Sequence, residues 1–228
     1  MDLKELAARQ AQEYVRDGMV LGLGSGTTMR HFLALLGQRL RVGELRDVVG
    51  VATSSAVEAQ ARRAGIPLTA LEAHLRLDLA IDGADEVDPR LDLIKGLGRA
   101  LLREKIVAAQ AERFLIIVDE SKLVERLGAG PLPVEILPFG AGVQLRWLQG
   151  LSSRAELWLE ADGCPIVTDN GNHLARCWFE GGIPDPRALA RALADRAGIV
   201  EHGLFLGMTS AVIVAGPEGT RTLTAPDP

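Results

Sequence analysis

The chain is poor in the residues that build disulfide frameworks, metal centres and membrane anchors. Its 2 cysteines, Cys164 and Cys177, lie 13 apart with no partner pattern. That spacing argues against a disulfide framework and for reduced, partly buried thiols. The 4 histidines, His31, His74, His173 and His202, have no second ligand at i+2 to i+5. Nothing therefore resembles a zinc or di-metal pattern, and His31 and His173 read as packed or hydrogen-bonded side chains. No Ser-His-Asp or Cys-His arrangement can be read either. No window approaches the ~20 apolar residues of a membrane span. The charged start Met1-Asp2-Leu3-Lys4-Glu5-Leu6 lacks the apolar stretch of a secretion signal. A basic excess is also missing: the net charge is −5 and its charges are interspersed, whereas nucleic-acid binders cluster Lys and Arg. These absences predict a cytoplasmic protein with no membrane or nucleic-acid partner. A small anionic ligand stays open, because local charge decides its binding.

What is present is a series of short apolar runs that end in glycine, hydroxyls or acids. With 228 residues and 47% hydrophobic content, one large or two small domains can be built. Apolar spacing predicts a helix over 3–17, ended by Gly18. Strands follow over 19–23, 48–52, from Gly65-Ile66-Pro67-Leu68, over 77–81 and over 114–118. Helices between them begin after Thr28, at Thr53-Ser54-Ser55 and after Gly98. Alternation of this kind predicts an α/β fold: a Rossmann-like, mostly parallel sheet flanked by helices. The texture changes after Leu127, where Gly128 to Pro133 breaks the pattern. A strand at 134–137, a helix near 141–150, strands near 155–160, 164–168 and 174–179, and a helix from Asp185 to Ala197 read as α+β. The predicted organisation is a catalytic α/β domain over 1–127 plus 199–228, with a smaller inserted α+β domain over 128–198. Runs at 200–206 and 211–215 are expected to return to the first sheet. The tail from Pro217 is expected to fray.

The most informative stretch is Leu79-Ala80-Ile81-Asp82-Gly83-Ala84-Asp85-Glu86, followed by Lys95-Gly96-Leu97-Gly98 and Arg103-Glu104-Lys105. A buried parallel strand reads as a continuous apolar run, and ligands bind beyond its carboxyl end. Asp82 and Asp85 are placed there, with Lys95 as a positive charge and Glu104 on the following helix. Charges of this kind are seldom fully buried unless paired. Either Asp could instead cap a helix or a turn; two of them with Lys95 downstream favour a site. Glu86 and Asp88 are expected to face solvent. Gly22-Leu23-Gly24-Ser25-Gly26-Thr27-Thr28 stands at a strand-to-helix junction, where backbone N–H groups can meet an anion. A dinucleotide fingerprint would need glycine at Thr27, and a P-loop would need lysine there. A compact phosphate cradle or a tight structural turn remain. Lys122, just past a strand end, could be an anion ligand or a solvated lysine.

Taken in order, these motifs resemble the type A ribose-5-phosphate isomerase family. Ser121-Lys122, Pro131-Leu132-Pro133-Val134-Glu135 and Thr168-Asp169-Asn170-Gly171-Asn172 extend the likeness, which runs from Lys4 to about Gly216. The resemblance implies interconversion of ribose 5-phosphate and ribulose 5-phosphate, a step of the non-oxidative pentose phosphate pathway. It implies no metal and no cofactor, a sugar-phosphate substrate, and a homodimer or a dimer of dimers. It makes Glu104 the proton-transferring base and Asp82, Asp85 and Lys95 sugar-handling residues. It assigns substrate binding to Ser25, Gly26, Thr27, Thr28, Gly83, Ala84, Gly96, Leu97, Gly98 and Lys122, with Lys4 on the phosphate. The family usually has three glycines after the lysine; here Leu97 stands in the middle and Arg99 replaces a small residue. Leucine adopts positive φ only at a cost, so a right-handed or extended path is expected at Leu97. Bottom-up chemistry agrees: without a visible metal-ligand cluster, a carboxylate base and a cis-enediolate are the expected route. The rival readings are a sugar-phosphate deaminase and a non-catalytic sugar-phosphate sensor of the same fold. The second would want a DNA-reading helix, and none is present in the sequence.

Overall fold

The structure is a computed structural model and describes residues 2–224. The chain divides into two compact units, one of residues 1–84, 103–122 and 208–228 and the other of 85–102 and 123–207. The segment expected as an insertion, 128–198, lies inside the second unit. That unit also takes in Asp85–Leu102 and extends further at both ends.

In the first unit six strands form one sheet. From one edge they run Val49–Ala52, Val20–Leu23, Leu79–Asp82, Phe114–Asp119, Ala211–Gly216 and Gly219–Thr224. All neighbours are parallel except the last pair. The central strands are apolar on both faces because helices cover the sheet; Phe114 to Val118 are all buried. Burying each such Leu or Ile contributes about 1.5–3 kcal/mol. The helices are Leu3–Ala11, Thr27–Arg41, Ser55–Ala64 and Leu101–Ala109, the last beginning in the second unit. Small residues bring them close: Ala7, Ala8 and Ala11 have no exposed surface and join Phe32, Leu33 and Leu36 in the core. From Val20–Leu23 the chain pairs first on one side, then on the other. This reversal creates the switch point of the sheet, at the carboxyl ends of Val20–Leu23 and Leu79–Asp82.

The second unit holds an antiparallel sheet in the order Ile199–His202, Leu132–Ile136, His173–Trp178, Arg154–Leu157. Period-two alternation gives one face Leu132, Val134, Ile136, Ala155, Ala175 and Cys177, packed with Leu148 of the helix Ala141–Leu151 and Leu193 of the helix Pro186–Ala194. The other face carries Pro133, Glu135, Arg176 and Glu156. A second, small sheet joins Leu204–Phe205, Leu93–Ile94 and Glu86–Val87, all antiparallel.

Several expectations change. Residues 200–206 do not return to the parallel sheet: Glu201 and His202 pair with Glu135 and Val134, and Leu204 with Ile94. Leu68 makes a single bridge to Gly50 rather than a strand, since Pro67 has no N–H to extend one. Residues 164–168 contribute only bridges, at Pro165 and Val167. The first helix stops at Ala11 and tightens into a 3₁₀ turn over Gln12–Tyr14. The tail does not fray up to Thr224, because a two-residue turn at Pro217-Glu218 folds Gly219–Thr224 back along its neighbour. Residues 225–228 of that tail lie outside the described residues. Among the described residues no helix is long and apolar enough to cross a membrane.

Candidate active site

The candidate residues fall into two sets, because the chain passes between the units after Ala84 and again after Leu102. In the first unit, the parallel register Leu23↔Ile81 puts Gly24 beside Asp82. A Cβ at Gly24 would collide with the Asp82 carboxyl, so glycine is what lets that side chain lie across the strand end. Asp82 Oδ1 accepts the backbone N–H of Ser25 at 3.0 Å and of Gly83 at 2.7 Å. Ser25 also donates its hydroxyl to Glu104 Oε1, in the first turn of Leu101–Ala109. One serine thus ties the first loop to both acids. Asp82 and Glu104 are only 2% and 3% exposed.

The loop ends in the helix Thr27–Arg41. Its N-cap is Gly26 at φ 96°, with no side-chain cap and no acid in the first turn. Left-handed backbone there suits glycine. The first-turn N–H groups remain directed at whatever binds in front of them, which favours an anion. Thr28 is buried and Thr27 exposed. Lys122 closes the 3₁₀ turn Glu120–Lys122 that follows Phe114–Asp119, and Lys4 sits half-buried in the first turn of Leu3–Ala11. A cavity of about 570 Å³ on this unit is lined by Val51, Glu58, Arg62, Arg103 and Ile106, among others, but not by Ser25, Asp82 or Glu104.

In the second unit, Glu86 pairs with Ile94 and Val87 with Leu93. One step further along this antiparallel pair, Asp85 stands opposite Lys95. Asp85 N–H donates to Ile94 O at 2.8 Å, and Asp85 Oδ2 accepts the N–H of Leu97 at 2.9 Å. Lys95 is 3% exposed, its N–H bonds to Gly203 O at 2.9 Å, and its Nζ lies 5.5 Å from the centre of the Phe205 ring. The loop is therefore held by backbone at its start and by a carboxylate two residues on. Gly96 takes positive φ and Leu97 does not, as its side chain demands; the positive non-glycine φ falls instead on Arg99, at 69°.

Glu86 corrects the expectation of a solvent-facing acid. It is 6% exposed, and its two oxygens accept the N–H groups of Gly128 and Gly130. Asp88 is half-buried and accepts the N–H of Arg90 and of Asp92; burial pushes its carboxyl above the usual carboxylate range. Glu135, fully buried, receives Thr168, Asn170 and Asn172 on one oxygen. Sequence reading had placed these residues in a motif without assigning this knot. Burial pushes the Cys177 thiol up to about 12, while Cys164 is exposed. Among the described residues, no group of three His, Cys, Asp or Glu is arranged to hold a metal ion.

Glycines and uncapped helix N–H groups beside two buried carboxylates, at the switch point of a parallel sheet, are the arrangement of an α/β enzyme. Residues 49–219 match the family described as ribose 5-phosphate isomerase A (phosphoriboisomerase A). The chain belongs to that family. It is 52% identical to a ribose-5-phosphate isomerase A of Roseiflexus castenholzii over 97% of this chain and 94% of the relative. A probable chloroplastic ribose-5-phosphate isomerase 3 of Arabidopsis thaliana is 48% identical over 98% of this chain and 83% of its own. Among solved structures, ribose 5-phosphate isomerase A of Methanocaldococcus jannaschii superposes with TM-score 0.92 at 39% identity, covering 98% of both chains. A D-ribose-5-phosphate isomerase in complex with phospho-erythronic acid superposes with TM-score 0.94 at 38% identity, again covering 98% of both.

Proposed function

We propose that this chain interconverts D-ribose 5-phosphate and D-ribulose 5-phosphate by proton transfer through a cis-enediolate, in the non-oxidative branch of the pentose phosphate pathway. Membership of the family supports the reaction. The observation that carries the mechanism is the Ser25 link between Asp82 and Glu104 at the sheet's switch point. In this reading the phosphate binds the N–H groups and hydroxyls from Ser25 to Thr28, with Lys122 and Lys4 contributing charge. Glu104, as carboxylate, takes the C2 proton of the open-chain aldose; the electron pair moves into the C1–C2 bond and the carbonyl bond opens onto O1. Lys95 and loop N–H groups around Gly96 to Gly98 stabilise the enediolate oxygens. Asp82 and Asp85 carry protons to and from the ring and hydroxyl oxygens, with Gly83 and Ala84 spacing them along the chain. Glu104 then returns its proton to C1. Phospho-erythronic acid, bound by a relative, is an acyclic phosphorylated acid whose planar carboxylate carries two oxygens as an enediolate does. That likeness supports the same chemistry here.

Chelator-treated protein mixed with ribose 5-phosphate should form ribulose 5-phosphate at the untreated rate. Free ribose should be a very poor substrate, because the phosphate's binding energy positions the reacting carbons. Activity restored only by an added divalent ion would replace the enediolate route by a metal-assisted one. Ammonia release from an amino-sugar phosphate, with no pentose isomerised, would point to the deaminase reading. A cytoplasmic homodimer belongs to the same proposal. The exposed Leu137, Phe139 and Val143 of the second unit support it as an apolar surface, and light scattering would measure the mass.

A further inference from the structure

Arg99 holds a left-handed backbone at φ 69° that a residue with a Cβ adopts only under strain. Such a conformation persists when the surroundings over-determine it, and here they do. The Arg99 guanidinium meets both oxygens of Glu160, Nη1 at 2.5 Å and Nη2 at 3.4 Å. Its carbon lies 5.4 Å from the centre of a Trp158 ring. Trp158 also meets a second guanidinium: Arg176 lies 5.0 Å from it and 5.4 Å from Trp178, and Arg154 lies 3.8 Å from Trp178. Glu156 receives Arg176 at 2.5 Å and Arg154 at 3.5 Å. The result is an alternating ladder, Arg99–Trp158–Arg176–Trp178–Arg154, that starts at the lysine loop and runs over the polar face of the antiparallel sheet. Glu160 is fixed in turn, since its N–H and C=O close a tight turn with Cys164 and Gly163.

We propose that Arg99 is a positioning residue: its clasp on Glu160 and Trp158 holds the Lys95-Gly96-Leu97-Gly98 loop in its working geometry. The loop is tied at Leu97 by Asp85 and at Arg99 by the ladder, so the exposed Leu97 and Gly98 are held from both sides. An ion pair of half-exposed side chains is weak alone. Bidentate geometry and an aromatic face make this one directional, and lysine, a point cation, cannot reproduce the planar two-pronged grip.

The inference rests on Lys95 acting in the isomerisation. The parent enzyme is therefore assayed first: an inactive parent would defeat the functional reading and not the clasp. In an active parent, Arg99→Gly, Arg99→Lys, Glu160→Gln and Trp158→Leu should each lower kcat, with KM for ribose 5-phosphate changing little. Small misplacement of a catalytic group costs up to about 10²-fold, and a fall of about tenfold is expected here. Trp158→Phe keeps an aromatic face and should restore most of the loss. Arg154→Ala removes the outermost rung and should leave kcat unchanged even if it lowers Tm. Arg99→Gly also relieves the positive φ, so a loss of kcat in a variant of equal or higher Tm would single out positioning from folding. Folded variants of Arg99, Glu160 and Trp158 whose kcat all stay within about twofold of the parent, against that positional scale, overturn the proposal.

Discussion

Asp82 and Glu104 in the first unit are as inaccessible as Glu86 and Glu135 in the second, at 2% and 3% exposure against 6% and 0%. Their partners separate them. Glu86 meets two backbone N–H groups, and Glu135 meets a hydroxyl and two amides from one turn. Such donors belong to the fold and have nowhere else to go. Asp82 accepts backbone N–H groups too, from Ser25 and Gly83, but at the strand end; Glu104 accepts the hydroxyl of Ser25, a half-buried residue whose hydroxyl can rotate and can both donate and accept. A carboxylate caged by several donors of one turn or loop keeps a fixed place, whereas Glu104, met by one rotatable hydroxyl at the switch point, can exchange that contact for a substrate. Burial alone therefore does not mark a site; the chemistry of the partner and the position at the switch point do.

The largest effect that would test this contrast is at Glu104. Glu104→Gln keeps the length and the acceptor for Ser25 but cannot take a proton. Loss of a general base typically costs 10²–10⁴ in rate, about 3–5 kcal/mol of barrier. The expected result is that fall in kcat, little change in KM and an unfolding curve close to the parent's. Exchange of the C2 proton with solvent should fall in parallel. A kcat within about threefold of the parent, set against that range, removes Glu104 from the mechanism.

Glu135 should behave in the opposite way. Glu135→Ala leaves the Thr168 hydroxyl and the Asn170 and Asn172 amides without their shared acceptor. At about 1–3 kcal/mol for a buried polar group left unpaired, a stability loss of about 3 kcal/mol is expected in urea unfolding. Turnover per folded molecule should hold, so a large kcat loss in the folded fraction would erase the distinction between the two kinds of acid. Glu86→Gln is the milder version. Its amide offers one acceptor oxygen to the N–H groups of Gly128 and Gly130, where the carboxylate offered two. A loss of about 1–2 kcal/mol with unchanged kcat is expected.

Sequence reading placed Asp82 at a strand end because strand ends in a parallel sheet are local events: an apolar run stops and an acid follows. It reached the caps for the same reason, as at Ser54, whose side chain accepts from Val57 N–H. Glu86 escaped it because its partners lie 42 and 44 residues downstream, in a glycine-rich stretch that looked like a break. The placement of 199–206 escaped for a like cause. An apolar strand carries no mark of which sheet will pair with it, and only the register with Val134 and Ile94 decides. The left-handed residue of the lysine loop was legible in part. Leucine's Cβ argued Leu97 away from positive φ, but the shift of that burden to Arg99 depends on Trp158 and Glu160, far along the chain.

Asp88 offers the smallest and sharpest test, because it shares the caging of Glu86 without its full burial. Its carboxylate accepts the N–H groups of Arg90 and Asp92, which lower its pKa, as the Arg90 charge does. Desolvation outweighs them, with the neighbouring Asp92 charge adding to the rise, and the net shift is upward from 3.8. A carboxyl raised on folding binds more protons in the folded state than in the unfolded one across that window. Stability from this group is then greatest below the unfolded value and is lost as pH rises through the folded value. Asp88→Asn keeps an oxygen that can accept one N–H and removes the buried charge. Its stability relative to the parent should therefore improve from about pH 4 to about pH 7, the sign fixed by the linkage relation, while kcat stays unchanged. The measurement is the difference in urea unfolding free energy between variant and parent across that range. A difference that falls with pH would mean that the Arg90 and Asp92 N–H groups outweigh burial at Asp88.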